Sequence, residues 1–227
     1  MPVNCRGVSA VSASHRDDSI RVGIMADSHG DAGAIRSALK LFRNQSCRLV
    51  YHLGDICDSL QPQTADACIE SLQAGGVIAI RGNNDHSLLA NQKGRPDPCI
   101  SEQSRHFLEN LPLKASLGDA ELVHSQPQTE ELGLASMLDP MESMPGAKIF
   151  KFLRRPILFR GHSHSPELMW CRNDQVMTRT LLPAERVDLT RWIPCIITCG
   201  ALTDRHCLIW EPARREVICL TLPGNDA

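Results

Sequence analysis

Three short apolar runs in the first part of the chain alternate with segments of helical periodicity. The runs lie at residues 20–26, 48–53 and 77–80, and one helical segment follows Asp31 while the other spans 64–74. Short apolar runs bounded by turn residues indicate buried strands, and the segments between them are long enough to be crossover helices. This order predicts a parallel βαβαβ unit whose three strands end at the same edge of a sheet.

The rest of the chain predicts one more helix and a β-rich C-terminal part. We expect a helix at 103–111, a hairpin formed by 115–117 and 120–124, and helical pieces with loops over 129–153. Further strands are predicted at 157–160, 168–171, 176–180, 193–198, 206–210 and 217–220.

Composition limits the class of protein. A chain of 227 residues with 42% hydrophobic content is long enough for one domain, which we place at residues 20–227 after a loosely ordered extension, residues 1–19. The net charge of −2 provides no basic surface for the phosphates of a nucleic acid, and an aromatic content of 4% leaves few side chains on which bases could stack. We therefore expect no nucleic-acid partner. Because no apolar run approaches about 20 residues, we expect no membrane segment and a cytoplasmic location.

The ten cysteines do not form the paired spacing of a zinc or disulfide framework. Most are expected to be small buried apolar residues. Cys195, Cys199 and Cys207 cluster within strand-like sequence, and we favour core thiols over a metal or redox site for these three.

Polar residues follow five of the apolar runs. A single Asp or His at such a place is usually a helix cap or a structural residue, but seven at one sheet edge are costly unless cations neutralise them. Mixed carboxylate, amide and imidazole donors suit a pair of manganese, iron or zinc ions, and Asp55 in the middle run is the natural bridging carboxylate. The candidate ligands are Asp27, His29, Asp55, Asn83, His124, His162 and His164.

Five segments resemble the ordered motifs of calcineurin-like metallophosphoesterases: DSH at 27–29, GDICD at 54–58, RGNND at 81–85, VH at 123–124 and GHSH at 161–164. The resemblance is to the short bacterial and archaeal phosphodiesterase branch, and it implies an α/β fold in which two mixed β-sheets form a sandwich flanked by helices. It also implies two divalent transition-metal ions, with manganese favoured and iron, zinc or nickel as alternatives. One metal would be held by Asp27, His29, Asp55 and His164, and the other by Asp55, Asn83, His124 and His162.

The resemblance implies a dinuclear phosphohydrolase in which a metal-bridging hydroxide attacks phosphorus. The catalytic residues would be Asp55, Asn83 and His124. A phosphodiesterase acting on a small phosphorylated compound is favoured over a protein phosphatase. The alternative is a non-catalytic, metal-bearing interaction scaffold, because a subunit of the retromer coat uses the same fold in that way. The sequence leaves the oligomeric state open.

Three positions depart from the family pattern. Asn84 stands where the family usually has a histidine that assists the leaving group, and an amide cannot act as a general acid. His86 is either a replacement acid or an inert histidine. Ser125 replaces a common glycine, and the turn Thr198-Cys199-Gly200-Ala201 replaces an Asn-Pro-Gly-Ser turn, which affects the substrate side of the site.

Three further charged residues complete the motifs. Asp58 and Asp85 are expected to orient ligand histidines by accepting their second ring N–H. For Arg81, contact with a substrate phosphate and pairing with a nearby carboxylate are equally favoured.

Overall fold

The computed structural model describes residues 20–138 and 146–223, in which twelve strands form two six-stranded mixed sheets. The strands are β1 (Arg21–Met25), β2 (Cys47–His52), β3 (Ile78–Ala79), β4 (Lys114–Leu117), β5 (Ala120–Val123), β6 (Ile157–Arg160), β7 (Glu167–Arg172), β8 (Gln175–Thr180), β9 (Arg186–Asp188), β10 (Cys195–Thr198), β11 (His206–Glu211) and β12 (Glu216–Thr221). The first sheet has the order β3-β2-β1-β11-β12-β9, and the second has the order β4-β5-β6-β10-β7-β8.

In the described ranges, five α-helices and several short 3₁₀ segments connect the strands. The α-helices are α1 (Ala32–Asn44), α2 (Ala65–Ala74), α3 (Asn83–Gln92), α4 (Glu102–Glu109) and the short α5 (Thr129–Leu132). The 3₁₀ segments are Pro62–Thr64, Gly133–Met137, Gly146–Phe152, Leu189–Arg191 and Pro212–Arg214.

Parallel pairing places the loops with the candidate ligands at shared sheet edges. In the first sheet, β1, β2 and β3 are parallel and are joined through α1 and α2, so the predicted βαβαβ unit is confirmed. In the second sheet, β5 is parallel to β6, and β6 is parallel to β10. The loops that follow β5, β6 and β10 therefore also emerge on one side.

The two sheets pack face to face, and helices or turns cover their outer faces. Side chains from both sheets, including Ile24, Phe159 and Trp210, form the interior of the sandwich. A second cluster, which includes the fully buried Phe42, packs α1 and α2 against the first sheet. A third cluster seats Ile149 of the Gly146–Phe152 turn on the second sheet. The sandwich flanked by helices that the sequence predicts is confirmed.

Most predicted elements are present with small changes at their ends, but one strand and one α-helix were missed. The hairpin is confirmed as β4 and β5, which pair antiparallel. Strand β9 was not predicted, and neither was α3. The segment NNDHSLLANQ of α3 lacks an apolar stripe, and among its hydrophobic side chains only Leu88 is fully buried, so helical periodicity could not identify it.

The cysteine prediction agrees with the structure. Cys195, Cys199 and Cys207 are all fully buried in the hydrophobic clusters. Burial raises the pKa of Cys195 to about 12 and that of Cys199 well above its ordinary value, so neither thiol ionises near pH 7.

Other expectations fall outside the described residues. The predicted N-terminal extension, residues 1–19, is one of them, together with residues 139–145 of the predicted irregular span. Within the ranges 20–138 and 146–223, no helix has the length and apolar character needed to cross a membrane.

Gly23 of β1 lets α1 approach the sheet. A Cβ added at this position would lie 2.6–2.8 Å from atoms of the Phe42 ring, and Phe42 is fully buried. The ring therefore rests directly on the backbone of β1, and a methyl group here would overpack the cluster.

We expect Gly23→Ala to lower the free energy of unfolding by about 1–3 kcal/mol, because neither the strand nor the buried ring has room to move. Gly33→Ala is the matched control. It lies in α1, where an added Cβ would meet only the Asp31 carboxylate at 3.1 Å, so no comparable loss is expected. Urea unfolding of both variants measures the difference, and equal stability would contradict this packing.

Candidate metal centre

The ends of five strands bring the seven predicted ligands together. The loop after β1 runs beside the loop after β2, since the N–H groups of Asp27 and His29 donate to the carbonyl oxygens of Gly54 and Asp55 at 3.1 and 3.0 Å. In the same way, the N–H of Gly161 donates to the carbonyl oxygen of His124 at 3.0 Å. Asp27, Asp55 and His124 are buried, while the other four candidate ligands are half-buried.

One group of candidate ligand atoms lies between the loops that follow β1 and β6. The Nε2 atoms of His29 and His164 lie 3.1 Å apart. A carboxylate oxygen of Asp27 lies within 4.8 Å of a ring nitrogen of each histidine, which is close enough for all three residues to coordinate one ion.

The second group is formed by His124, His162 and Asn83. Nδ1 of His124 lies 2.7 Å from the Leu53 carbonyl oxygen and therefore carries the ring proton. Burial lowers the pKa of His124, so the ring is neutral and its Nε2 presents a lone pair. That lone pair faces the Asn83 Oδ1 at 2.9 Å and the His162 Nδ1 at 3.2 Å. Two acceptors that face each other at this distance fit a shared cation.

Asp55 lies between the two groups. Its Oδ1 is 3.5 Å from Nε2 of His124, and its Oδ2 is 3.8 Å from Nε2 of His29. Asp27 also approaches both sides, because its carboxylate lies within 4.8 Å of ligand atoms of Asp55 and His124. The assignment of Asp55 as the bridging residue thus stays a prediction, with Asp27 as its competitor.

The electrostatics of these residues favour cation binding. Burial, followed by repulsion from Asp55, raises the pKa of Asp27 well above its ordinary value. Burial also lowers the pKa of His162 to about 4 and lowers that of His164. His162 and His164 are therefore neutral near pH 7, which is the form that binds metals, and a divalent cation would relieve the repulsion between the carboxylates.

The backbone at the site is held in an uncommon conformation. Asp27, His29, Asp55, His162 and His164 all have positive φ angles, between 41° and 70°. Such angles are rare for residues with a Cβ and cost of order 1 kcal/mol or more each. Five of the seven candidate ligands share this conformation, which turns their side chains toward one point instead of continuing the strands.

Glycines in the motifs allow the loops to touch. A Cβ at Gly82 would lie 2.1 Å from the Asp55 backbone nitrogen, and one at Gly54 would lie 2.7 Å from Nδ1 of His124. A Cβ at Gly161 would lie 2.8 Å from the Asp27 carboxylate. Any side chain at these positions would push a candidate ligand out of place.

The structure corrects the expected roles of Asp58, Asp85 and Arg81. Asp85 accepts the backbone N–H groups of Gly82 and Cys57, and Asp58 accepts the N–H of Leu60, and neither carboxylate contacts a histidine ring in the part of the chain that the structure describes. These carboxylates brace the turns that carry the candidate ligands.

Arg81 is engaged at the end of α4, and no ion pair between its guanidinium and a carboxylate is found within residues 20–138 and 146–223. Its Nη2 donates to the carbonyl oxygens of Leu108 and Glu109 at the end of α4, at 2.7 and 2.5 Å. These carbonyls belong to the last turn of α4, where the regular helical hydrogen bonds end, and the Leu108 oxygen also accepts the N–H of Leu111 at 3.3 Å, so the guanidinium adds a second partner that caps α4.

Asn84 and His86 both lie in the first turn of α3 but differ in their contacts. Asn84 donates to Asp55 through its backbone N–H and through its side-chain amide, each at 2.8 Å. Within the described residues, the half-buried His86 forms no side-chain hydrogen bond with the cluster, and its backbone N–H donates to the Gly82 carbonyl oxygen.

The structure shows two supports for the histidines that the sequence analysis missed. One is the backbone carbonyl of Leu53, which has no sequence signal. The other is Asp204, whose Oδ2 lies 3.9 Å from Nδ1 of His164. Asp204 follows β10, which is parallel to β6. Because residues that follow parallel strands meet at one edge of the sheet, a search after β10 would have identified Asp204 from the sequence.

His52 and Ser28 form a further support beneath the loop after β1. Nε2 of the buried His52 lies 2.9 Å from Oγ of Ser28, which in turn donates to the Ile56 carbonyl oxygen at 3.1 Å. Burial lowers the pKa of His52 to about 3, so this ring is a neutral structural brace.

The two remaining departures from the family pattern pack closely against the site. Ser125 is buried directly after His124. The turn that contains Gly200 has a φ of 81° at that residue and is anchored by the N–H of Ala201, which donates to the His164 carbonyl oxygen at 3.0 Å. This turn therefore supports the loop that carries His164.

A family model identifies the superfamily of the chain. The model of the calcineurin-like phosphoesterase superfamily domain matches residues 20–182, and the chain belongs to this superfamily. The family and the candidate ligands together support a metal-dependent phosphoesterase. No curated protein sequence matches the chain.

Solved structures share the fold at low sequence identity. A metallophosphoesterase from Sphaerobacter thermophilus is 21% identical, with a TM-score of 0.72 over 90% of this chain and 89% of that one. A hypothetical protein from Pyrococcus horikoshii OT3 is 14% identical, with a TM-score of 0.61 over 92% and 90%. A protein serine/threonine phosphatase from Saccharomyces cerevisiae is 14% identical, with a TM-score of 0.52 over 93% and 82%.

We expect Asp55→Asn to be more damaging to metal binding than any other single ligand substitution, because Asp55 faces both groups and carries negative charge. After incubation with manganese, metal analysis should show a fall from about two ions per chain to less than about one. His164→Ala should lose less, and Asp58→Asn should retain the ions. A greater loss in Asp27→Asn than in Asp55→Asn would make Asp27 the bridge.

Proposed function

We propose that this protein is a dinuclear metal-dependent phosphodiesterase that hydrolyses a small phosphorylated compound. The observation that carries the proposal is the convergence of lone pairs from His124, Asn83 and His162 beside Asp55, whose second oxygen faces His29. The mixed carboxylate, amide and imidazole donors suit manganese, iron or zinc, and among these we propose manganese.

Two bound cations would supply an activated water and would neutralise charge on the phosphoryl oxygens. The role of the chain is to hold the donors in place before substrate arrives. The hydrogen bond from His124 to Leu53 fixes the ring, and the strained loops with their glycines bring the carboxylates together. Such preorganisation is worth more in a buried site than in water.

An aryl phosphodiester, whose leaving group is weakly basic, suits this site better than an alkyl phosphodiester. The position of the usual acid is taken by Asn84, whose amide is already bonded to Asp55. His86 has no bond to the cluster within the described residues. Without a proton donor, expulsion of an alkoxide is slow, whereas a phenolate can leave unaided.

The proposed cytoplasmic location is supported by the cysteines. Those among the described residues are all free, as is usual in a reducing compartment.

Metal removal tests the proposed function directly. The purified protein, loaded with manganese, is expected to hydrolyse an aryl phosphodiester, to lose this activity on chelation and to regain it when manganese is returned. A screen of phosphomonoesters, phosphodiesters and cyclic nucleotides under the same conditions identifies the substrate class. If the protein is folded and loaded but hydrolyses none of them, the scaffold alternative takes first place.

The second test concerns the leaving group. We expect rates at saturating manganese to fall steeply as the pKa of the leaving group rises, so that aryl diesters are cleaved much faster than alkyl ones. Asn84→His should flatten this dependence, because a general acid is typically worth about 10²–10⁴-fold. The measurement is a series of diesters of graded leaving-group pKa.

His86→Ala serves as the control for this series. It should leave both classes of substrate unchanged. A sharp loss on alkyl substrates alone would identify His86 as the acid, and a shallow dependence in the unmodified enzyme would contradict the lack of one.

A further inference from the structure

Asn84 holds both oxygens of Asp55. Its backbone N–H donates to Oδ1 and its side-chain Nδ2 donates to Oδ2, each at 2.8 Å. A carboxylate oxygen has two lone pairs, so each oxygen can accept one of these bonds and still bind an ion. The residue that replaces the usual histidine thus contacts the candidate bridging group directly.

Asp55 and Ser59 together orient the Asn84 amide, because a carboxylate only accepts hydrogen bonds and the Ser59 hydroxyl engages the opposite end of the amide. The Ser59 hydroxyl donates to Oδ1 of Asn84 at 3.0 Å, and this bond is available only when the amide oxygen points away from Asp55. The donor Nδ2 is then directed at the carboxylate. Ser59, Asn84 and Asp55 form a line of hydrogen bonds from the loop after β2 to the first turn of α3 and back.

The two bonds to Asp55 serve different sides of the site. Oδ1, which is held by the backbone N–H, faces His124 at 3.5 Å. Oδ2, which is held by the side-chain amide, faces His29 at 3.8 Å. Replacing the side chain of Asn84 removes only the second bond, because the backbone N–H remains.

We propose that Asn84 is a positioning residue that directs Oδ2 of Asp55 toward the ion held by Asp27, His29 and His164, with Ser59 fixing its amide. The inference rests on the proposed dinuclear function. It assigns a definite role to the residue that replaces the usual acid. Through its backbone N–H and its side-chain amide, Asn84 contacts both oxygens of Asp55, which face the two halves of the site, and it takes no part in proton transfer.

The test is manganese binding, which does not depend on turnover. Isothermal titration calorimetry should resolve two binding steps in the unmodified protein, and electron paramagnetic resonance should show a spin-coupled pair. In Asn84→Leu, one step should weaken about 10–100-fold while the other is unchanged, and the coupled signal should be lost at manganese concentrations that fill the unmodified site. Ser59→Ala should weaken the same step by a smaller factor.

Gln61→Leu is the matched control. Gln61 also donates a side-chain amide to a carboxylate, since its Nε2 lies 3.2 Å from Oδ2 of Asp58, but Asp58 is not a candidate ligand. This variant should keep both binding steps and the coupled signal. If Asn84→Leu does not fold by thermal melting, Ser59→Ala carries the test alone.

The outcomes separate this inference from the proposed function. Unchanged binding in both Asn84→Leu and Ser59→Ala, or equal weakening of both steps, overturns the positioning role whether or not the protein is an enzyme. Selective weakening of one step in a protein that hydrolyses no phosphoester supports the positioning role and contradicts the proposed function. Absence of manganese binding in the unmodified protein overturns both.

Discussion

The structure of the site depends on acceptor atoms that face one another without a proton between them. His124 is fixed as the Nδ1-H form by the Leu53 carbonyl, so its Nε2 directs a lone pair at the amide oxygen of Asn83. Asp27 and Asp55 repel each other nearby, which contributes to the raised pKa of Asp27. This concentration of lone pairs and negative charge is unfavourable in a buried environment and becomes favourable when cations are bound.

The surrounding fold holds these loops in their strained conformation. Five candidate ligands have left-handed backbone angles, and three motif glycines permit contacts that no side chain would allow. These strained loops are held by bonds that do not involve ligand atoms, such as those from Gly82 and Cys57 to Asp85. The two-sheet core below them is closely packed, and local strain persists only where such surroundings enforce it.

Particular residues show which parts of the fold and of the site could be predicted from the sequence. The apolar runs before Asp27, Asp55 and Asn83 predicted the parallel unit and the shared edge, because buried parallel strands have a clear hydrophobic pattern. Helix α3 was missed because it is polar, with Leu88 as its single fully buried hydrophobic residue. Asp85 was taken for a histidine partner, but its oxygens are taken up by backbone N–H groups. Hydrogen-bond partners of this kind depend on loop geometry, and loop sequences have no hydrophobic periodicity from which that geometry could be predicted.

The sequence by itself determined which donor types follow which strands, and therefore that the side chains gathered at this edge are suited to metal. The tertiary structure decided which atom of each residue faces which neighbour. The sequence placed an amide at position 84, but only the packing of α3 against the loop after β2 brought that amide onto Asp55 and oriented it through Ser59. The physical reason is that strand ends are specified by local hydrophobic pattern, whereas side-chain direction depends on backbone angles and contacts between loops distant in the chain.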